Sequence, residues 1–164
     1  MNVTKAQLRE QCQSLPASHR KLFRDAVETA PHVDYALLRA LVSRETNMRN
    51  IVGDGGHGRG YGQIDDRSHG DWLRKVGAGH GCPPVGLAMK YSVGLLEANV
   101  RQAITAGVPE GQRLRVAVAG YNAGMGGALS GWREHRDPDH NTAHGDYSED
   151  VLARADVIRK AGWA

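Results

Sequence analysis

Apolar positions recur at three- and four-residue spacing along most of this chain, and one glycine-rich stretch interrupts them. Residues 4–14 and 16–29 carry the helical rhythm, with Ser14-Leu15-Pro16 as punctuation between them. A third helix is predicted over 34–45, opened by Asp34, a residue type that caps the free amides of a helix start. The run 85–106 reads as a long helix despite Gly86 and Gly94. Another is predicted over 110–121, where Ala117, Ala119 and Gly120 permit close packing. The segment 122–127, Asn-Ala-Gly-Met-Gly-Gly, is expected to end it. A last helix over 147–161 places Val151, Leu152, Ala155 and Ile158 on one side. Between 46 and 68 the rhythm is lost, and the Asp54-Gly55 turn signal predicts a small irregular hairpin region. A short helix around Trp72 and a loop over 77–84 follow. The predicted class is α+β, mainly α-helical.

At 164 residues the chain suits one domain able to bury a sizeable core. No run of 18 apolar residues is present, so no membrane span and no stable membrane association are expected. The first residues lack the apolar core of a signal peptide. The expected routes are synthesis in the cytoplasm with later release or delivery, or export with a leader not present here. A formal net charge of +3 modestly favours polyanionic partners such as cell walls or nucleic acids; 5% aromatics argue against a single-stranded nucleic-acid binder, and no nucleic-acid partner is expected. Cys12 and Cys82 allow one disulfide or two thiols, and thiols are the expectation.

Candidate chemistry starts at Glu45. Counting back four, seven and eight residues lands on Leu41, Leu38 and Leu37, so the carboxyl is expected on the stripe that faces the core. Desolvation and the negative end of the helix dipole both raise a carboxyl's pKa there, which suits a general acid. A glutamate at a helix end more often bends out to water; the residues downstream change that balance. The glycines that follow do not fit a phosphate cradle, because a helix rather than a strand precedes them. They let backbone approach a ligand while presenting Asp54 and Asp65. Taken alone, Asp54 reads as well as a turn residue, and Asp65 as well as a helix cap, as either does as a functional acid. Tyr121 shares a face with Leu114, Ala117 and Val118, anchoring its ring while its hydroxyl stays free to bond. His140 and His144 are four apart but sit in a predicted loop, so no metal is expected.

Four motifs in order carry a resemblance: Ser43-Arg44-Glu45-Thr46, Gly53-Asp54-Gly55-Gly56-His57-Gly58, Gln63-Ile64-Asp65 and Gly120-Tyr121-Asn122-Ala123-Gly124. Together with the tail 145–155 they resemble goose-type lysozymes, which are related to the lytic transglycosylases. The resemblance implies a lysozyme-like fold with a small β-hairpin region and a substrate cleft. It implies a single catalytic domain over 1–164, with 34–164 as the family core and 1–33 as an N-terminal helical extension. Glu45 then matches the catalytic acid, and Asp54 and Asp65 match the acids that position the attacking water. Tyr121, Asn122, His69, Tyr147, His57 and Gln63 fall at substrate-binding positions, Asn122 also as a holder of the turn. Where the family commonly has Gly-Leu-Met-Gln, this chain has Gly60-Tyr61-Gly62-Gln63, which alters the expected cleft wall.

The function so implied is a peptidoglycan hydrolase, a muramidase cutting the β-1,4 bond between N-acetylmuramic acid and N-acetylglucosamine with inversion. Inversion implies carboxyls roughly 6.5–9.5 Å apart. No cofactor is expected. The implied partners are peptidoglycan glycan strands and, as a further possibility, a proteinaceous lysozyme inhibitor; the chain is expected to act as a monomer at the cell wall or periplasm. A bacteriophage endolysin or a bacterial enzyme suits it better than a secreted animal lysozyme. The alternatives are a lytic transglycosylase, which leaves 1,6-anhydromuramic acid ends, and a non-catalytic wall-binding module.

Overall fold

A computed structural model describes residues 3–163. Helices α1 (Lys5–Ser14) and α2 (Ala17–Val27) lead into α3 (Tyr35–Thr46). Three two-residue strands follow: β1 (Val52–Gly53), β2 (Gly58–Arg59) and β3 (Ile64–Asp65). Helices α4 (Asp66–Lys75), α5 (Val85–Thr105), α6 (Glu110–Ser130) and α7 (Tyr147–Lys160) complete the order. This is the mainly helical α+β class that the hydrophobic rhythm predicts, with the helical bulk on one side and the small sheet on the other.

Helix α3 is the structural axis. Asp34 caps it by accepting from the Leu37 amide at 2.7 Å, and Asn47 ends it in the left-handed conformation at φ 52°. The predicted one-sided apolar stripe is only part of the picture. Ala36 through Ser43 are all buried, Arg39 and Ser43 included. A helix covered on every face is a core helix. Its polar side chains therefore need partners, and they have them. Arg39 donates to the carbonyls of Cys12, at 2.6 Å, and Trp163, and Ser43 donates to Gln11 Oε1 at 2.6 Å. These contacts tie α1 and the chain end to α3, while α2 packs on α3 and α5. Tyr61, in the departure from the usual motif, is a core residue rather than part of the cleft wall. Its ring meets Phe23 of α2 edge-on at 5.3 Å, and its hydroxyl bonds His19 Nδ1 at 2.8 Å.

The strands form one antiparallel sheet in the order β1-β2-β3, pairing Val52 with Arg59 and Gly58 with Asp65. The Gln63 side chain lies across it, and a Cβ on either Gly53 or Gly58 would run into its Oε1. Glycine at these two places is a matter of space.

One predicted end is revised. The break expected over 122–127 is a kink at Gly124 (φ 70°, ψ 153°), after which α6 resumes to Ser130 and runs into a π-helical segment, Gly131–His135. The buried residues Met125 and Ala128 give the second half its own apolar face against Ala103 and Val108. That face outweighs the glycine content that suggested a loop. Cys12 and Cys82 are free thiols.

Candidate active site

A cavity of about 470 Å³ opens between α3, the sheet and the middle of α6. Glu45, Asp54, Gly58, Gln63, Asp65, Arg67, Tyr121 and Asn122 line it. Glu45 reaches it from the last turn of α3 and stays only partly exposed. Burial pushes its pKa up to about 7, against the opposing pull of the Tyr147 hydroxyl and the nearby Arg44 charge. A substantial share of Glu45 is thus a neutral carboxylic acid near neutral pH.

Its surroundings are built by α7. The Tyr147 hydroxyl donates to Glu45 Oε1, and its own pKa is pushed well up, first by burial and then by the Glu45 charge. Arg44 stacks over the Tyr147 ring at 5.6 Å from the centroid and pairs with Asp146 and Asp150, each at 2.7 Å. Asp150 also holds Arg154 at 2.7 Å, and Arg154 donates to Ser43 at 2.8 Å. This buried chain of charges fixes α7 against α3, so the Glu45–Tyr147 contact is set by tertiary structure. The start of α7 is held by Asp139, wholly buried, which accepts from the Ser148 amide at 2.7 Å, the Ser148 hydroxyl at 2.6 Å and the Glu149 amide at 3.1 Å.

Across the cavity stand the two aspartates. Asp54 sits at a turn with φ 48°, and Asp65 caps α4 by accepting from the Arg67 amide at 2.8 Å. Both bland readings of these residues are therefore structurally true, yet both side chains also face the cavity. Arg67 joins them, with Nη2 at 2.6 Å from Asp54 and 2.7 Å from Asp65. The Arg67 hydrogen bonds hold the Asp65 carboxyl below its ordinary range, so it is ionised when Glu45 is not.

The remaining predicted residues divide. Tyr121 is at the cavity with its hydroxyl 2.9 Å from both the Gly62 carbonyl and Ser92 Oγ; one proton serves one acceptor, so it donates to Gly62 and accepts from Ser92. Burial and the Glu45 charge push its pKa up. Asn122 lines the cavity while its Oδ1 accepts from the Ala143 amide at 2.8 Å, which holds the loop ahead of α7. Gln63 is committed to the sheet, donating to the Gly60 carbonyl at 2.8 Å and the Ile51 carbonyl at 3.2 Å.

His69 lies outside this cavity, in an adjoining one of about 500 Å³ that shares Asp65, Tyr121 and Asn122 as lining. It bonds the Tyr91 hydroxyl at 2.9 Å, and burial lowers its pKa. His57 lines neither cavity and pairs with Asp66 at 2.8 Å. Arg67, Ser92, Arg44 and Asp139 were not among the predicted site residues. Of these, Arg67 alone carried a signal, a cation two positions after a candidate acid.

A helical bulk, a small sheet and a cleft between them, with a partly buried glutamate on one wall and two aspartates on the other, define the lysozyme-like architecture. The pattern of the Lysozyme g family matches residues 17–162, and the chain belongs to that goose-type lysozyme family. It is similar to lysozyme g of Struthio camelus, 31% identical over 135 residues that cover 80% of this chain and 61% of that protein. It is also similar to lysozyme g of Gallus gallus, 28% identical over 80% of this chain and 59% of that protein. Lysozyme g of Cyprinus carpio is 30% identical over 84% of this chain and 71% of that protein. The chain thus spans about 61% of the length of the first of these relatives.

Proposed function

We propose that this protein is a peptidoglycan hydrolase acting at the bacterial cell wall, a muramidase that cleaves the β-1,4 bond between N-acetylmuramic acid and N-acetylglucosamine with inversion. One observation carries the reading: a carboxyl whose pKa burial lifts to about 7 shares a cavity with a carboxyl that Arg67 holds below its ordinary range. Two acids whose pKa values are pushed apart are what general-acid glycoside cleavage requires.

Protonated Glu45 gives its proton to the bridging oxygen as the bond from the anomeric carbon to that oxygen breaks. A water held by Asp54 and Asp65 attacks the anomeric carbon from the other face. Its excess proton passes to the aspartate side and then to solvent. The two carboxylates also offset the positive charge that grows on the sugar ring in the transition state. Because Asp65 is a weak base in its Arg67 contact, orientation of the water is its main contribution, with proton transfer late.

Loss of turbidity of purified cell walls tests the reading. Wild-type protein should clear them, and Glu45→Gln should lose about 10²–10⁴-fold of that rate, the usual worth of a positioned general acid. Proton NMR of the newly released reducing ends should show the α-anomer first. Clearance by Glu45→Gln at the wild-type rate would remove the basis of the proposal.

A further inference from the structure

Arg67 is the cavity side chain that touches both aspartates. Arg67 Nη2 lies 2.6 Å from Asp54 Oδ2 and 2.7 Å from Asp65 Oδ2, while Nε lies 3.0 and 3.1 Å from the two Asp65 oxygens. A terminal guanidinium nitrogen carries two N–H bonds in the plane of the group. A single Nη2 can therefore donate one proton to each aspartate, fixing the spread between them, while Nε locks the rotation of Asp65. Asp54 needs such a hold. It stands on an exposed turn on the far side of the sheet from α4, and backbone hydrogen bonds alone do not aim its side chain.

The other charges nearby are already engaged or lie across the cleft. Asp66, on the first turn of α4, is held by His57 at 2.8 Å and by Arg59 of β2 at 2.7 Å. His69 of α4 bonds Tyr91, and Glu45 faces the pair from α3 across the cavity. Among the described residues Arg67 is the cation in hydrogen-bond contact with both Asp54 and Asp65. Two like charges converging on one small site repel, and either rotate apart or take up a proton. The guanidinium opposes both outcomes.

We infer that Arg67 is a positioning residue of this active site, holding Asp54 and Asp65 as one fixed pair so that a single water is oriented by both. The inference rests on the muramidase reading and adds to it a residue that acts through the acids rather than on the sugar. Lysine cannot replace it fully, since an ammonium lacks the planar fork that meets two carboxylates at once.

The test compares wild type with Arg67→Gln, Arg67→Lys and Glu45→Gln on a soluble chitin-type or muropeptide oligomer across pH 4–9. Arg67→Gln should lower kcat by about 10–100-fold, the scale of a misplaced reacting group, with KM within about threefold. The acidic limb of its kcat/KM profile should move to higher pH, because Asp65 then protonates more readily. Arg67→Lys should return that limb toward its original place while recovering only part of kcat. Carbon NMR of the Asp65 carboxyl gives a readout that needs no turnover: its titration should move upward in Arg67→Gln.

A wild-type kcat and acidic limb in Arg67→Gln, or an unmoved Asp65 titration, would overturn the inference. So would a loss confined to KM, which would make Arg67 a direct sugar contact. If Glu45→Gln is inactive while Arg67→Gln behaves as wild type, only the positioning role fails. If Glu45→Gln is fully active, the muramidase reading fails and takes this inference with it.

Discussion

Tyr147 donates its hydroxyl to Glu45 Oε1, joining two residues 102 positions apart in the chain. The bond works against burial: it favours the charged form of Glu45, while desolvation favours the neutral one and prevails. Glu45 is thereby poised near neutrality rather than locked in its protonated form, which is where an acid that must give up its proton and regain it works best.

Removing that hydroxyl should leave burial less opposed. In Tyr147→Phe the Glu45 pKa should rise above its value of about 7. Activity that depends on protonated Glu45 fails as pH rises through that pKa, so the alkaline limb of kcat should shift to higher pH. The maximal rate should fall, because the acid is no longer aimed. A pH–rate profile on oligomeric substrate checks both effects. An alkaline limb that stays in place would mean another group controls it.

The raised pKa of Glu45 also makes a statement about stability. Below about 4.5 the group is protonated in both folded and unfolded chains, and no penalty applies. As pH rises from there through about 7, the unfolded chain ionises first, and stability is progressively lost. The loss reaches as much as about 3 kcal/mol. Glu45→Gln removes the titrating group. It should match wild type at pH 4 and exceed it at pH 8 by an amount approaching that figure, as read from urea unfolding at the two pH values. Equal stability at pH 8 would contradict the buried placement of the acid.

Asp139 should matter to the site without touching it. Its buried carboxylate satisfies the Ser148 and Glu149 amides at the start of α7, one residue from Tyr147. Asp139→Ala leaves those amides unpaired and opens a void, for an expected cost of about 2–4 kcal/mol. Thermal unfolding should show the drop, and activity should fall in the surviving folded protein as Tyr147 loses its anchor. Asp139→Ala with an unchanged Tm would refute this role.

Much of the fold could be read directly from spacing. The Asp34 cap, the apolar positions of α3 and α7 and the Asp54-Gly55 turn are local signals, and local signals survive without knowledge of the tertiary structure. Glu45 was legible for the same reason, since Leu37, Leu38 and Leu41 share its side of one helix. What stayed hidden depends on contacts between distant segments. Arg67 follows Asp65 closely enough to pass for a surface charge, and only the folded hairpin brings Asp54, 13 residues away, to the same guanidinium. The burial of Arg39 and Ser43 reflects α1 and α7 closing over a face that sequence marks as polar. The return of helix after Gly124 comes from packing against α5, which overrides a glycine-rich segment's preference for a loop.

The mass of the fragments released from purified peptidoglycan puts the whole scheme at risk in one measurement. Muropeptides cut by wild-type protein should carry ordinary reducing muramic acid ends, the full mass of a hydrolysed product, and Glu45→Gln should release none above blank. Fragments one water lighter would show that the sugar's own hydroxyl, and not a water held by Asp54 and Asp65, had attacked. Equal release by Glu45→Gln would show that the buried acid is not the proton donor.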